Sequence, residues 1–239
     1  MKIGLAQRRV LRGIAFLSVL WPICSAVIAS DAQTYQTAAA VAVSKLDFER
    51  AIRRAYSERG FFYHHQSRFE LALADYTAGA KLFSDDGTFP NGQGLALMEL
   101  GQSEEAIHRF DEAIKLDPTS GVFMLGRAEA YNRSHRPQTA LEDYDKALAL
   151  GHLTQNDTYR LRVGVGAAHL TLKNEKAAIE SLDKAVELRP NSTTALRYRG
   201  LAYERAGELD RAYRDYEAVL RLKPGDEFAV KRLQRLRLK

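Results

Sequence analysis

Six histidines, a single cysteine and thirty acidic residues are the material for chemistry in this chain of 239 residues. His64 and His65 are adjacent; on a helix such neighbours point about 100° apart, so they do not chelate one metal as an i, i+4 pair does. The lone thiol, Cys24, sits in an apolar run behind Leu20, but Trp21, Pro22 and Ile23 do not form the small-residue site that lipoprotein processing requires. Residues 164–169, GVGAAH, copy part of a dinucleotide fingerprint without the strand that must precede it. No phosphate loop is present. The reading is therefore a non-enzyme with no catalytic, cofactor-binding or metal residues, and an enzyme whose site is assembled from distant carboxylates is the minor alternative. One polar pattern does recur. Arg59, Arg127 and Arg199 are each followed sixteen residues later by an aspartate, Asp75, Asp143 and Asp215, whereas Gln93 with Arg109 and Val165 with Ser181 lose both partners at the places between. Joint presence and joint loss predict direct pairing, with at least two pairs within about 4 Å, each contributing about 0.2–1 kcal/mol if exposed and more if enclosed.

A sixteen-residue link that recurs needs a repeating pair of elements to position it. The stretch from Thr193 to Gly225 reads as two amphipathic helices split at Gly207 and stopped at Pro224, and Pro190 and Gly166 stand 34 residues before Pro224 and Gly200. Sliding this frame back gives copies at 53–86, 87–120, 121–154, 159–192 and 193–226, with four extra residues between the third and fourth. Gly60, Gly94, Ala128, Gly166 and Gly200 fall on the first helix and Ala72, Ala106, Ala140, Ala178 and Ala212 on the second. Small residues at both places let two backbones pack closely. Four residues past each alanine stands Tyr76, Phe110, Tyr144, Leu182 or Tyr216, which keeps one helical face in the core. Leu82, Leu116, Leu150, Leu188 and Leu222 close the copies, and proline follows at 118, 190 and 224. The extra residues lie in GHLTQND, 151–157, where Gly151 ends one helix and Thr154 or Asn156 caps the next, so an enlarged turn is expected.

From Arg53 to about Asp226 this pattern resembles the tetratricopeptide repeat family, whose 34-residue period carries a small residue, an aromatic three further on, an alanine, an aromatic and a proline. The fifth copy supplies all five as Gly200, Tyr203, Ala212, Tyr216 and Pro224; Leu97 and His169 replace the first aromatic elsewhere, and Ser84 and His152 the proline. The resemblance implies an all-α fold, a right-handed α-solenoid of five helix-turn-helix repeats with a concave groove that binds a protein or peptide. By that likeness the groove is lined by Phe61, His64, His65, Asn91, Leu95, Met98, Glu99, Leu125, Glu129, Asn132, Arg133, Val163, Leu170, Arg197, Leu201, Glu204 and Arg205. The family's clamp for a terminal carboxylate uses lysine and asparagine on successive first helices. The matching positions are Ser57 and Phe61, Asn91 and Leu95, Leu125 and Glu129, and only Asn91 fits.

The flanks complete the expectation. Lys2, Arg8, Arg9 and Arg12 precede an apolar run from Ile14 to Ala29, the layout of a secretory signal peptide cleaved after Ala29 or after Ala32. A membrane-tethered assembly factor that keeps this segment is the competing reading, although sixteen apolar residues with an internal proline are short against the roughly 20 that span a bilayer. Of 35 basic and 30 acidic residues, four basic ones lie in this leader, so the rest of the chain is nearly neutral and gives no support for nucleic acid. Residues 30–46 read as a flexible linker. After Pro224, Phe228, Leu233 and Leu236 keep helical spacing and Lys231, Arg232, Arg235, Arg237 and Lys239 supply a polar outer face, as a capping helix over residues 227–239 requires. The expectation is a scaffold without cofactor, exported to a bacterial periplasm or secreted, with no stable membrane insertion once the leader is removed.

Overall fold

The computed structural model describes residues 45–237, and the leader at 1–29 and all but the end of the linker lie outside them. The described residues are entirely helical between turns. In chain order the helices are α1 (Lys45–His65), α2 (Phe69–Leu82), α3 (Thr88–Glu99), α4 (Ser103–Leu116), α5 (Gly121–Arg133), α6 (Pro137–Leu150), α7 (Gln155–Thr171), α8 (Glu175–Leu188), α9 (Thr193–Arg205), α10 (Leu209–Leu222) and α11 (Glu227–Arg237). The chain divides into two units, Met1–Ile52 and Arg53–Lys239. Of the first unit, the described part is the opening of α1, where Arg50 reaches Asp47 at 3.9 Å.

The second unit is an α-solenoid, and the columns read from the sequence are its packing rules. All five column alanines of the second helices have no exposed surface. Each lets the first helix of its own repeat come close, and the large side chain four residues on then fills the space above the small residue of that helix. A Cβ at Gly94 would stand 2.7 Å from the Phe110 ring, and one at Gly200 would stand 2.7 Å from the Tyr216 ring. The turn within each repeat passes through left-handed backbone at one equivalent place. Gly101 and Gly207 adopt it with φ near 80°, but Ser67, His135 and Lys173 hold φ 58° there, a conformation that side chains other than glycine adopt at a cost. First helices also lie against the first helix of the next repeat, α3 on α5, α5 on α7 and α7 on α9, whereas successive second helices do not meet in the same way. The first helices therefore form the tighter, inner wall.

The four-residue insertion differs from the expected enlarged turn. It lengthens α7, which starts at Gln155 and runs 17 residues where α5 and α9 run 13. Thr154 is the cap: its Oγ1 accepts from the Asp157 amide, and the Asp157 carboxylate accepts from the Thr154 amide, a reciprocal arrangement that satisfies two otherwise orphaned donors. Such a cap starts the helix a full turn early.

All three arginine–aspartate pairs form. Arg59, Arg127 and Arg199 each donate from Nε and Nη2 to both oxygens of Asp75, Asp143 and Asp215, at 2.5–2.9 Å. Arg127 and Arg199 also use Nη1 to reach back to Asp111 and Asp183 on the second helix of the preceding repeat. Gln93 makes the neutral version of that backward link, donating to Thr77 Oγ1 at 2.9 Å. Burial alone would lower the Arg127 pKa, but hydrogen bonds to Asp143 and Asp111 more than reverse this and raise it; at Arg199 the bond to Asp215 leads the same shift.

At the far end α11 packs on α10. Ala229 and Leu233 are buried with Tyr216 and Val219, and Phe228 and Leu236 pack around them half-buried.

Candidate functional site

The inner wall presents one face of each first helix, and the structure sorts the expected groove residues by how far each side chain leans toward its own second helix. Met98, Leu125 and Leu170 do not line the groove: they are 3%, 0% and 4% exposed. Met98 packs with Ala106, Ile107 and Phe110, Leu125 with Tyr144, Ala147 and Leu161, and Leu170 with Ala178 and Leu182. Placed three or four residues from the small column, these three point into the seam between helices instead of away from it. Phe61 is 60% exposed, and Leu95, Val163 and Leu201 are half-buried. These four make the accessible apolar row.

The charged members are bound to one another. Arg133 donates to Glu99 at 2.6 Å and to the Met98 carbonyl at 2.7 Å, and Arg205 donates to the Leu170 carbonyl at 2.6 Å. Glu129 is gripped by Arg160, whose Nε and Nη2 lie 3.1 and 2.6 Å from its oxygens while Nη1 donates to Asp157 at 3.2 Å. Burial works against the charge on Arg160, yet Glu129 and Asp157 raise its pKa. The site reasoning from sequence missed Arg160. It stands at the start of the fourth copy, three residues after Asp157, and that i, i+3 spacing of opposite charges was the available signal. At the carboxyl-terminal end the capping helix enters the wall. Arg197 and Arg232 lie over the Phe228 ring at 4.7 and 5.1 Å, Arg197 meets Asp226 at 3.7 Å, and Arg232 meets Glu204 at 3.4 Å.

A second regularity, also missed, joins the wall to the second helices. Twelve residues before each large side chain of the second helix stand His64, Met98, Asn132, Leu170 and Glu204. Where the partner is Phe110 or Leu182 the member is apolar, and where it is tyrosine the member is polar. Asn132 donates from Nδ2 to the Tyr144 hydroxyl at 3.1 Å and to the Gly164 carbonyl at 2.9 Å, and the Tyr216 hydroxyl donates to Glu204 at 3.0 Å. Burial raises the pKa of both tyrosines and pushes Tyr76 up to about 12.

His64 stands twelve residues before Tyr76, and its ring meets Phe69 edge-on at 5.3 Å. Its Nε2 is shielded from solvent and has no hydrogen-bond partner, and the same holds for Asn91 Oδ1 in the next repeat. Burial pushes the His64 pKa down, opposed by Glu99 and by the Leu95 carbonyl, with His65 and Arg160 adding to the fall. His65 is exposed and meets the Phe61 ring edge-on at 4.2 Å. Among the described residues no group of three metal-ligating side chains gathers, and no helix is long and apolar enough to cross a membrane.

Comparison with known proteins places this architecture. The tetratricopeptide repeat family model matches residues 91–152 and 168–227, just over half the chain. RNA polymerase II-associated protein 3 of Xenopus tropicalis is 28% identical over 151 residues, covering 63% of this chain and 22% of that protein. The chain spans about a sixth to a quarter of the length of the curated relatives it matches first. Among solved structures, the APC/C hetero-tetramer Cut9-Hcn1 superposes with a TM-score of 0.74 at 20% identity, over 77% of this chain and 36% of that one. YrrB, described as a TPR protein with an unusual peptide-binding site, superposes at 0.55 with 17% identity, over 74% of this chain and 89% of its own. At these identities the structural likenesses show the fold.

Proposed function

The chain belongs to the tetratricopeptide repeat family, whose members generally mediate protein–protein interactions, and we propose that it is a non-enzymatic scaffold holding a protein segment along the inner wall of its first helices. The carrying observation is the apolar row of Phe61, Leu95, Val163 and Leu201 set among charges that are already paired. Exposed apolar surface in a concave wall favours a partner that covers it, and side chains at this spacing suit the anchors of an extended or helical segment. Glu99, Glu129, Arg160, Arg197 and Glu204 each hold a partner within the chain, so affinity rests on apolar contact and hydrogen bonding. The leader pattern supports export, with the scaffold working in a bacterial periplasm or outside the cell. Amino-terminal sequencing of protein recovered from the native host tests that part, and a retained leader would sink it.

Photo-crosslinking tests the groove. A benzophenone side chain placed at Phe61 or Leu201 is expected to capture the native partner, and one at Leu148, an exposed residue of α6, is not. Capture from Leu148 with none from the inner wall would place binding on the second helices.

A further inference from the structure

The two ends of the solenoid are finished differently. Beyond the last repeat, α11 turns Lys231, Gln234 and Arg235 to solvent, the polar face that a terminal unit needs. The first repeat ends in apolar surface instead. Phe62 stands two places after Gly60, where the later repeats have Ala96, Ala130, Ala168 and Ala202; those four alanines have no exposed surface, whereas Phe62 is 44% exposed. Inside the array this place is covered by the preceding repeat: Ala130 packs with Ala106, Ile107 and Phe110 of α4, and Ala202 with Ala178 and Leu182 of α8. The arginines mark the same difference. Arg127 and Arg199 spend Nη1 on Asp111 and Asp183 of those covering helices. Arg59 donates to Asp75 through Nε and Nη2, and its Nη1 has no partner among the described residues. Phe62 lies three residues after Arg59, and Leu71, 39% exposed, lies four before Asp75, so both flank this ion pair on the side of the turn that joins α1 to α2. The later repeats have Glu105, Thr139, Ala177 and Arg211 at the place of Leu71.

We propose that this end of the first repeat docks an amphipathic helix of a partner protein that carries an aspartate, seated as α4 seats on α5 and α8 on α9. The inference goes beyond the groove reading, because it uses the end face of the array and not its inner wall. The two internal seats specify the chemistry. In α4 and α8 a small residue, Ala106 or Ala178, is followed four places on by a large apolar one, Phe110 or Leu182, and then directly by the aspartate that reaches the next repeat's arginine. A carboxylate offered in the same way accepts from Arg59 Nη1, the edge of the guanidinium that Asp75 leaves open. A basic helix would bring like charge to that edge. The apolar side differs in size from the internal seats. The Phe110 ring lies against Gly126, where a Cβ would stand 2.4 Å away, and in the first repeat that place holds Glu58, bonded to Arg54 at 2.6 Å. With Glu58 and Phe62 standing where the third repeat has Gly126 and Ala130, the partner helix carries a small side chain in place of Phe110.

The test uses the full chain and two blocked, fluorescently labelled peptides of the α8 sequence, residues 175–188, each held helical by a hydrocarbon staple on its polar face. Both carry Leu182→Ala, and one also carries Asp183→Asn. By fluorescence anisotropy the peptide that keeps Asp183 is expected to bind about tenfold more tightly than the other, with a gap that narrows as salt is added. Phe62→Ser is expected to weaken it at least about tenfold. Arg59→Lys keeps a charge beside Asp75 but loses the open Nη1, and is expected to bring the two peptides to within about twofold of each other. Phe62→Ser and Leu71→Ser replace exposed side chains, so both should melt with the parent and keep the test readable if Arg59→Lys melts lower. No binding, equal binding of the two peptides by the parent, or affinity unmoved by Phe62→Ser overturns the proposal. Binding lost in Leu201→Ser but kept in Phe62→Ser would move the helix to the groove, leaving the groove reading standing and this one refuted. A benzophenone at Leu71 is expected to capture the peptide that keeps Asp183. Capture of the chain's own residues 1–44, or of a second copy, in its place would overturn the assignment to a partner protein.

Discussion

Replacing Arg127 by methionine is the sharpest test of how the solenoid is held together. Methionine keeps the aliphatic stem and deletes the guanidinium that joins Asp143 in its own repeat to Asp111 in the one before. Asp143 is 2% exposed and retains only Lys146 at 3.4 Å, while Asp111, at 35% exposure, rehydrates. Stranding a buried carboxylate costs about 3–5 kcal/mol, and the residual lysine points to the lower end, about 3 kcal/mol. For a domain of this size that is a fall of about 6–12 °C in Tm. Asp143→Leu leaves Arg127 with Asp111 and costs about 1.5–3 kcal/mol. The double variant exchanges the whole pair for apolar volume, a swap that is commonly neutral or better, so it is expected within about 1 kcal/mol of the parent. Thermal and urea unfolding followed by circular dichroism measure all four corners of the cycle. The raised Arg127 pKa means that its contribution is fully present below the ordinary guanidinium value and is lost only as pH rises past the folded one, so measurements at neutral pH see all of it. Arg109→Met removes an exposed pair with Glu112 as the control, with an expected change of about 0.5 kcal/mol or less. A loss below about 1 kcal/mol for Arg127→Met, or a double variant equal to the sum of the singles, would refute the account.

Three further outcomes follow from the packing and the buried imidazoles. Gly94→Ala drives a Cβ to 2.7 Å from the Phe110 ring, which has no space to yield, and is expected to lower stability by about 1–3 kcal/mol in a urea titration. Deleting Glu227–Lys239 uncovers Tyr216 and Val219, so the melting temperature or solubility should fall; an unchanged melting curve with lost partner binding would make α11 a contact site instead of a cap. Burial holds the pKa of His64 and His169 below 6.5, against Glu99 for the first and Asp145 and Glu180 for the second, with His65 and Arg160 reinforcing it at His64. The unfolded chain then binds more protons than the fold just below pH 6.5, so stability is complete above that value and declines as the pH drops toward the folded pKa values. A melting curve that shifts no less with acid in His64→Leu/His169→Leu than in the parent would contradict this.

What the sequence disclosed depended on whether a feature was repeated. The alanine column, the large residue four positions on and the arginine–aspartate spacing each recur in register, and repetition turned weak preferences into a fold and a set of contacts. Groove membership was less legible, because a position counted from the small column fixes the direction of a side chain only to within a helical turn. His64 and Met98 occupy one column, and the polar one stays at the wall while the apolar one turns into the seam. The same column holds Glu204, whose side chain is nearly as buried as Leu170 because the Tyr216 hydroxyl and Arg232 hold it in the seam. The insertion was misread because a glycine followed by several candidate caps permits either a long turn or an early helix start, and the reciprocal bonds of Thr154 and Asp157 decide for the helix. Arg160 escaped because it depends on that start.

The two polar regularities share a period of two repeats. The first, third and fifth copies carry both the arginine–aspartate bridge and the tyrosine with a polar member opposite, while the second and fourth have Met98 with Phe110 and Leu170 with Leu182 and no such bridge of their own. The backward bonds from Arg127 to Asp111 and from Arg199 to Asp183 then tie each even repeat to the odd one after it. Even repeats supply apolar bulk, and odd repeats supply fixed polar points. Asn132 and Glu204 are held by tyrosine hydroxyls, and Glu204 also by Arg232 of the capping helix, so their lone pairs and protons are largely used within the fold. His64 Nε2, Asn91 Oδ1 and His169 Nδ1 are shielded from solvent without a hydrogen-bond partner. Hydrogen-bonding capacity is thus unevenly spread along an otherwise regular array, left over in the first, second and fourth repeats.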